Sequence, residues 1–272
     1  MLREMASHYF PYQPTLSPTG LSRYDLHLCT LPPGPPLRSV VHRYIKIRAR
    51  KATLYPVIPD GTHALYLTST GVKLSAGLSR AMIIPIAQAG DYYGVHFYPG
   101  ALQRLAKVAG LVSRNQLLDA DEVPIELAFR LRDIFLRSGS FSQQVDRCDH
   151  LLAQHLRAHA SPVIDDLLSL VYRARGNIRI TEIAKQTGYS TRHINRLFHQ
   201  VLGLSSKTFV RIVRMQSLLR TALTITIAPD STTRSSPLER CLATANQADF
   251  GFYDQSHFLK EYHLLLGEGV LP

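Results

Sequence analysis

The stretch ITEIAKQTGYSTRHINRLFHQVL, residues 180–202, decides the reading of the C-terminal part of the chain. Ile180–Thr187 forms a short helix with Ile183 and Ala184 inward. Gly188 can supply the left-handed residue that ends it. Ser190 is a good N-cap for a second helix, from about Thr191 to Leu202. In that helix Ile194, Leu197, Phe198 and Val201 fall at i, i+3, i+4 and i+7, a single apolar face. Arg192, Arg196 and His199 point almost opposite, with Asn195 and Gln200 at the edges. Arginine can take both guanine acceptors of the major groove, and asparagine can pair with adenine through two bonds. A capped basic helix after a glycine turn points to major-groove binding more than a lone basic helix would.

Working outward, the sequence Gly203, Leu204, Ser205, Ser206 stops that helix and starts another, to about Leu223. Phe209, Ile212, Val213, Leu218 and Leu219 form its buried side. Lys207, Arg211 and Arg214 share the other side and are placed for phosphates. From Arg179 to Arg220 there are eight basic residues against the single acid Glu182, which marks an anion-facing surface. The pattern returns near the C-terminus. Leu238–Gln247 is a candidate helix, Gly251 a turn glycine and Asp254 a cap for a helix ending near Leu266. Phe258, Tyr262 and Leu265 share its inner face; Tyr253, Ser256, Lys260 and His263 share the other. Thr224–Ile227 is the only candidate strand after Ser161.

Residues 180–198, followed by Gly203, Leu204 and KTFVRIVRMQ at 207–216, resemble the first DNA-binding half of AraC/XylS-type transcription regulators. GFYDQSHF at 251–258 resembles that family's second half. The resemblance covers roughly residues 162–272. It implies two helix-turn-helix units joined by one long helix, with two recognition helices entering successive major grooves. By position, Arg192, Asn195, Arg196 and His199 become the first reading set, and Tyr253, Ser256, His257 and Lys260 the second. The link APDSTTRSSP, 228–237, is longer and more polar than the family usually shows. Pro59, Asp60, Gly61, Gly77 and GVHFYPGA at 94–101 resemble an N-terminal domain found in one branch of these regulators.

The N-terminal part reads differently. Residues 1–39 are proline-rich, with one early strand. Residues 40–100 alternate as short strands: Ile45 and Ile47 with Tyr44, Lys46 and Arg48; Leu65 and Leu67 around Tyr66; Val95 and Phe97 around His96; and an apolar run at 81–86. Glycine and proline turns separate them, the spacing of a small barrel or sandwich. From about residue 101 the period becomes helical, over 101–108, 125–136 and 141–159. The expected fold is therefore α+β: a β-rich domain at 1–110 for sensing or dimerisation, a helical connector at 111–160, and an all-α DNA-binding domain at 161–272. The connector's apolar stripe, Val145, Leu151, Leu152 and Leu156, either docks on the β-domain or meets its copy in a dimer.

The 272 residues carry 31 Lys and Arg against 20 Asp and Glu, a net charge of +11, which favours an anionic partner. Cys29, Cys148 and Cys241 are too scattered for a disulfide framework or a zinc ribbon. No signal peptide or bilayer-spanning run is evident, so a cytoplasmic protein with no membrane partner is expected. His155 and His159 lack the intervening Glu of a metalloprotease, and His63 and His96 stand alone. Nucleophile-elbow, P-loop and dinucleotide fingerprints are missing. The reading is therefore a non-enzymatic, sequence-specific DNA-binding regulator with no metal or cofactor. Its expected partners are double-stranded DNA, a small-molecule effector and a second copy of the chain. The rival is a ligand-binding or enzymatic N-terminal domain fused to a DNA-binding module.

Overall fold

The computed structural model describes residues 9–105, 115–119, 126–156, 162–225 and 247–267. In chain order the longer elements of the N-terminal half are α1 (Pro18–Arg23), β1 (Leu26–Leu31), β2 (Val41–Ala49), β3 (Thr53–Val57), β4 (His63–Leu67), β5 (Val72–Ser75), β6 (Met82–Ile86), β7 (Gly90–Phe97), β8 (Leu117–Asp119), α2 (Glu126–Leu136) and α3 (Phe141–His155). The C-terminal half contains α4 (Pro162–Arg173), α5 (Ile180–Thr187), α6 (Thr191–Leu202), α7 (Ser206–Ile225) and α8 (Gln255–Leu266). The chain is mixed α+β, with antiparallel sheet in its first half and helices in its second.

Six strands form one antiparallel sheet in the order β1-β2-β7-β4-β5-β8, and β3 pairs with β6 in a separate ribbon. Alternation along β2 explains the layering. Tyr44 faces one side with Leu65, Leu74, Val95 and Phe97, where α2 and α3 close over them through Leu131, Phe135, Val145 and Leu152. Ile45 and Ile47 face the other side, where Tyr55, Val57, Ile84 and Ile86 of the ribbon cover them. The result is a sandwich of ribbon, sheet and helices. The stripe on α3 thus docks on the sheet: Val145, Leu151 and Leu152 are buried there, and Leu156 packs against the same core.

The α2–α3 joint is fixed by polar groups. Ser140 and Gln143 form a capping box at the start of α3. The buried Gln144 donates Nε2 to the carbonyls of Phe135 and Arg137, each at 3.0 Å. Asp149 accepts from Gly34 N–H at 2.5 Å and from Tyr44 Oη at 2.7 Å, tying α3 to the sheet.

Several boundaries differ from those expected. The helical run predicted from 101 is a single 3-10 turn, Ala101–Arg104, with 106–108 outside the described residues. α3 stops at His155 because Leu156 turns to extended backbone. β8, inside the predicted connector, adds to the sheet edge. Thr224 and Ile225 continue α7 instead of beginning a strand, since each further helical residue adds a backbone bond without a new nucleation cost.

One of the three hydrophobic clusters joins the two halves, with Tyr9 and Ile58 packed among the C-terminal helices. Tyr9 stacks on Tyr172, ring centroids 4.6 Å apart. Gln216 of α7 accepts from Tyr12 N–H at 2.8 Å and donates to Pro59 O at 2.7 Å. Buried His63 donates from Nε2 to the Leu202 carbonyl at 3.4 Å. No helix among the described residues is long and apolar enough to cross a membrane.

Candidate nucleic-acid interface

α5 begins with Glu182 Oε2 accepting from Arg179 N–H at 2.8 Å. It ends at Gly188, whose φ of 75° is left-handed and whose N–H reaches Ala184 O at 2.9 Å. Ser190 Oγ then accepts from His193 N–H at 3.2 Å and caps α6. The inner face follows the expected period: Ile194, Phe198, Val201 and Leu202 are buried, Leu197 is half-buried, and Phe198 meets Phe209 edge-on at 5.5 Å. Arg192, Arg196, His199 and Gln200 lie exposed on the opposite face. Lys207, at the start of α7, is exposed as well.

Asn195, Arg211 and Arg214 of the predicted set are engaged with other elements of the protein. Asn195 Oδ1 accepts from Ser206 N–H at 3.1 Å and Ser206 Oγ at 3.2 Å, so it caps α7. Arg211 pairs with Glu261 of α8 at 2.5 Å, both largely sequestered from solvent. Arg214 donates Nε to Gly176 O at 3.0 Å and Nη1 to Gly251 O at 3.2 Å, and lies over the Phe252 ring. These arginines connect α7 to the segments on either side of it. Their spacing along α7 matches a phosphate-binding row, but partners 37 to 50 residues away hold them.

The second helix repeats the entry geometry. Gly251 has φ 75°, and Asp254 Oδ1 accepts from His257 N–H at 2.7 Å to cap α8. Phe252, Phe258, Tyr262, Leu265 and Leu266 are buried beneath it. Tyr253, Ser256, Lys260 and His263 are exposed, Tyr253 at 92%. His257 is half-buried: its Nδ1 accepts from Tyr253 N–H at 3.2 Å, and its Nε2 lies 3.9 Å from Glu261. It therefore orders the start of α8. The predicted helix at 238–247 and the link at 228–237 lie outside the described residues, apart from Gln247, which opens a 3-10 turn to Phe250.

Sequence reasoning missed two residues at the start of α6, Tyr189 in the turn before its cap and His193 in its first turn. Tyr189 stacks on His193 at 5.1 Å, and Arg196 donates to His193 Nδ1 at 3.1 Å. The spacings of four and three along the chain carry that signal.

The N-terminal half holds a separate polar cluster. A cavity of about 20 Å³, room for about one water, is lined by Gln13, Tyr55, Asp60, Thr62, Tyr66 and His96 among others. His96 is buried with no partner at Nε2, and burial, then the neighbouring Arg43, holds its pKa well below the usual imidazole range. The other strand tyrosines point elsewhere: Tyr44 to Asp149, Tyr92 to the Gln88 carbonyl, and Tyr93 onto Phe135. Among the described residues no three His, Cys, Asp or Glu side chains converge as a metal site. Cys29 is exposed and Cys148 buried, while Cys241 and His159 lie outside the described residues. Comparison with known protein families, with curated proteins and with solved structures gives no match.

Proposed function

We propose that this chain is a sequence-specific DNA-binding transcription regulator of AraC/XylS type, with α5–α6 and the segment ending in α8 as two helix-turn-helix units. The observation that carries the reading is the duplicated design of α6 and α8. Each follows a glycine at φ 75°, each is capped by a side-chain oxygen, and each buries one face while exposing a polar or cationic one. Both lie against α7.

In this reading Arg192 and Arg196 contact base edges from α6, with His193 and Tyr189 buttressing Arg196. His199 and Lys207 add contacts at its rim. Ser256 and Lys260 form the face of α8, with Tyr253 just ahead of its cap, while His257 orders its N-terminal turn. Arg211 and Arg214 hold the units in place rather than neutralising phosphate. Selection of a binding site from a random duplex library by the full chain tests the proposal. Recovery of one site with two sub-sites about a helical turn apart is the expected result. Enrichment of no sequence would refute it.

A further inference from the structure

We infer that residues 77–81 of the N-terminal half act as a strut that sets the separation of α6 and α8, and hence the spacing between the two DNA sub-sites that the chain accepts. The inference rests on the reading of α6 and α8 as the DNA-reading helices. Both helices end on this one segment. At its start Gly77 lies against the C-terminus of α6: a Cβ there would fall 2.4 Å from Leu202 O and 3.2 Å from the Leu204 side chain. At its end Ala81 N–H donates to the Leu265 carbonyl, in the last turn of α8, at 2.7 Å. Four residues of chain span at most about 14 Å, so the two helix ends are held within a short, fixed reach.

The segment is itself anchored. Leu78 is buried in the core between ribbon and sheet. Asn115, in a left-handed conformation, accepts through Oδ1 from Ser79 N–H at 2.8 Å, Ser79 Oγ at 3.0 Å and Arg80 N–H at 3.1 Å. Its neighbours brace the same surface: His63 donates to the Leu202 carbonyl, and a Cβ on Gly61 would fall 2.7 Å from the Phe209 ring. One base-pair step advances the duplex by about 3.4 Å and turns it by roughly a tenth of a turn. Relative movement of α6 and α8 by a few ångströms therefore equals one base pair of register.

The test uses the full chain and two variants. Gly77→Val places a branched side chain against Leu202 O and pushes the strut off α6. Asn115→Gly keeps the left-handed backbone and removes the anchoring acceptor. Spin labels at His199→Cys and Lys260→Cys, in a background with Cys29→Ser and Cys241→Ser, report the α6–α8 distance without DNA. A single narrow distribution in the parent that broadens in both variants is the expected result; equally narrow distributions in all three overturn the strut. On DNA, inserting or deleting one base pair between the selected sub-sites should weaken parent binding at least about tenfold and either variant less than about threefold. Unchanged one-base-pair discrimination in both variants also overturns it. If the parent selects no site, the DNA-binding reading fails, and the spin-label distances still decide whether the strut exists.

Discussion

Arg211 separates an internal strut from a phosphate contact, and the two roles have opposite signatures. Its pair with Glu261 is 2.5 Å long, with side-chain exposures of 20% and 14%. That places it between exposed pairs, which contribute about 0.2–1 kcal/mol, and buried pairs, whose breakage costs about 3–5 kcal/mol. Arg211→Gln should therefore lower unfolding stability by about 1–3 kcal/mol. Glu261→Gln should cost at least as much, because it leaves a shielded guanidinium unpaired and also removes the carboxylate near His257. The double variant should recover about 1–2 kcal/mol relative to the sum, as expected for directly coupled groups. Urea unfolding of the four proteins measures this cycle. On DNA, the slope of log K against log salt should stay unchanged in Arg211→Gln and fall by about 0.9 in Lys207→Ala, the loss for one phosphate contact. An additive cycle combined with a reduced slope in Arg211→Gln would refute the assignment.

Phe198→Ala should destabilise by about 3–5 kcal/mol, because the ring is fully buried against Phe209; Arg196→Ala should leave the urea midpoint unchanged and weaken specific DNA binding by about 1–3 kcal/mol. Gly188→Ala should cost only about 1–2 kcal/mol, since a Cβ there meets open space and only the left-handed φ is penalised. Gly176→Ala should cost clearly more in the same assay, because its Cβ would fall 2.4 Å from the Arg214 backbone nitrogen. Burial holds His63 neutral, with its pKa lowered to about 4. The unfolded chain then binds more protons between about pH 4 and 6.5, so this contribution is complete above pH 6.5 and is lost as pH falls through that window, by on the order of 3 kcal/mol. Stability measured from pH 7.5 down to 4.5 should decline less in His63→Gln than in the parent, and parallel curves would remove His63 as the cause.

What the sequence made legible was local. The stripe of Ile194, Leu197, Phe198 and Val201, the turn at Gly188 and the caps Ser190 and Asp254 all act within a few residues of themselves, so spacing alone exposes them. The alternation of Ile45 and Ile47 around Lys46 likewise marks β2. β3 was harder to read because Pro56 interrupts it, and a ribbon tolerates a proline that a central strand would not. Strand order was not legible, since β2 pairs with β7 across two intervening hairpin strands and the ribbon. The roles of Arg211, Arg214 and Asn195 were hidden as well. The arginines' partners are set by packing of segments 37 to 50 residues away, and on α7 an arginine facing Glu261 has the same helical spacing as one facing phosphate. Asn195 turns to Ser206 only 11 residues on, but an amide capping the next helix has the same spacing as one facing a base. The contact of His63 with Leu202 joins residues 139 apart and leaves no local signature.

The most direct measurement is the ratio of affinities for the selected duplex and for a scrambled duplex of equal length, at about 0.15 M salt, in the parent and in Arg196→Ala. A sequence-specific reader should show a ratio of at least about a thousandfold. Removing Arg196 should lower that ratio by roughly ten- to a hundredfold while leaving scrambled-duplex binding nearly unchanged, because base contacts discriminate and phosphate contacts do not. A parent ratio near one, or a ratio insensitive to Arg196, would contradict the account.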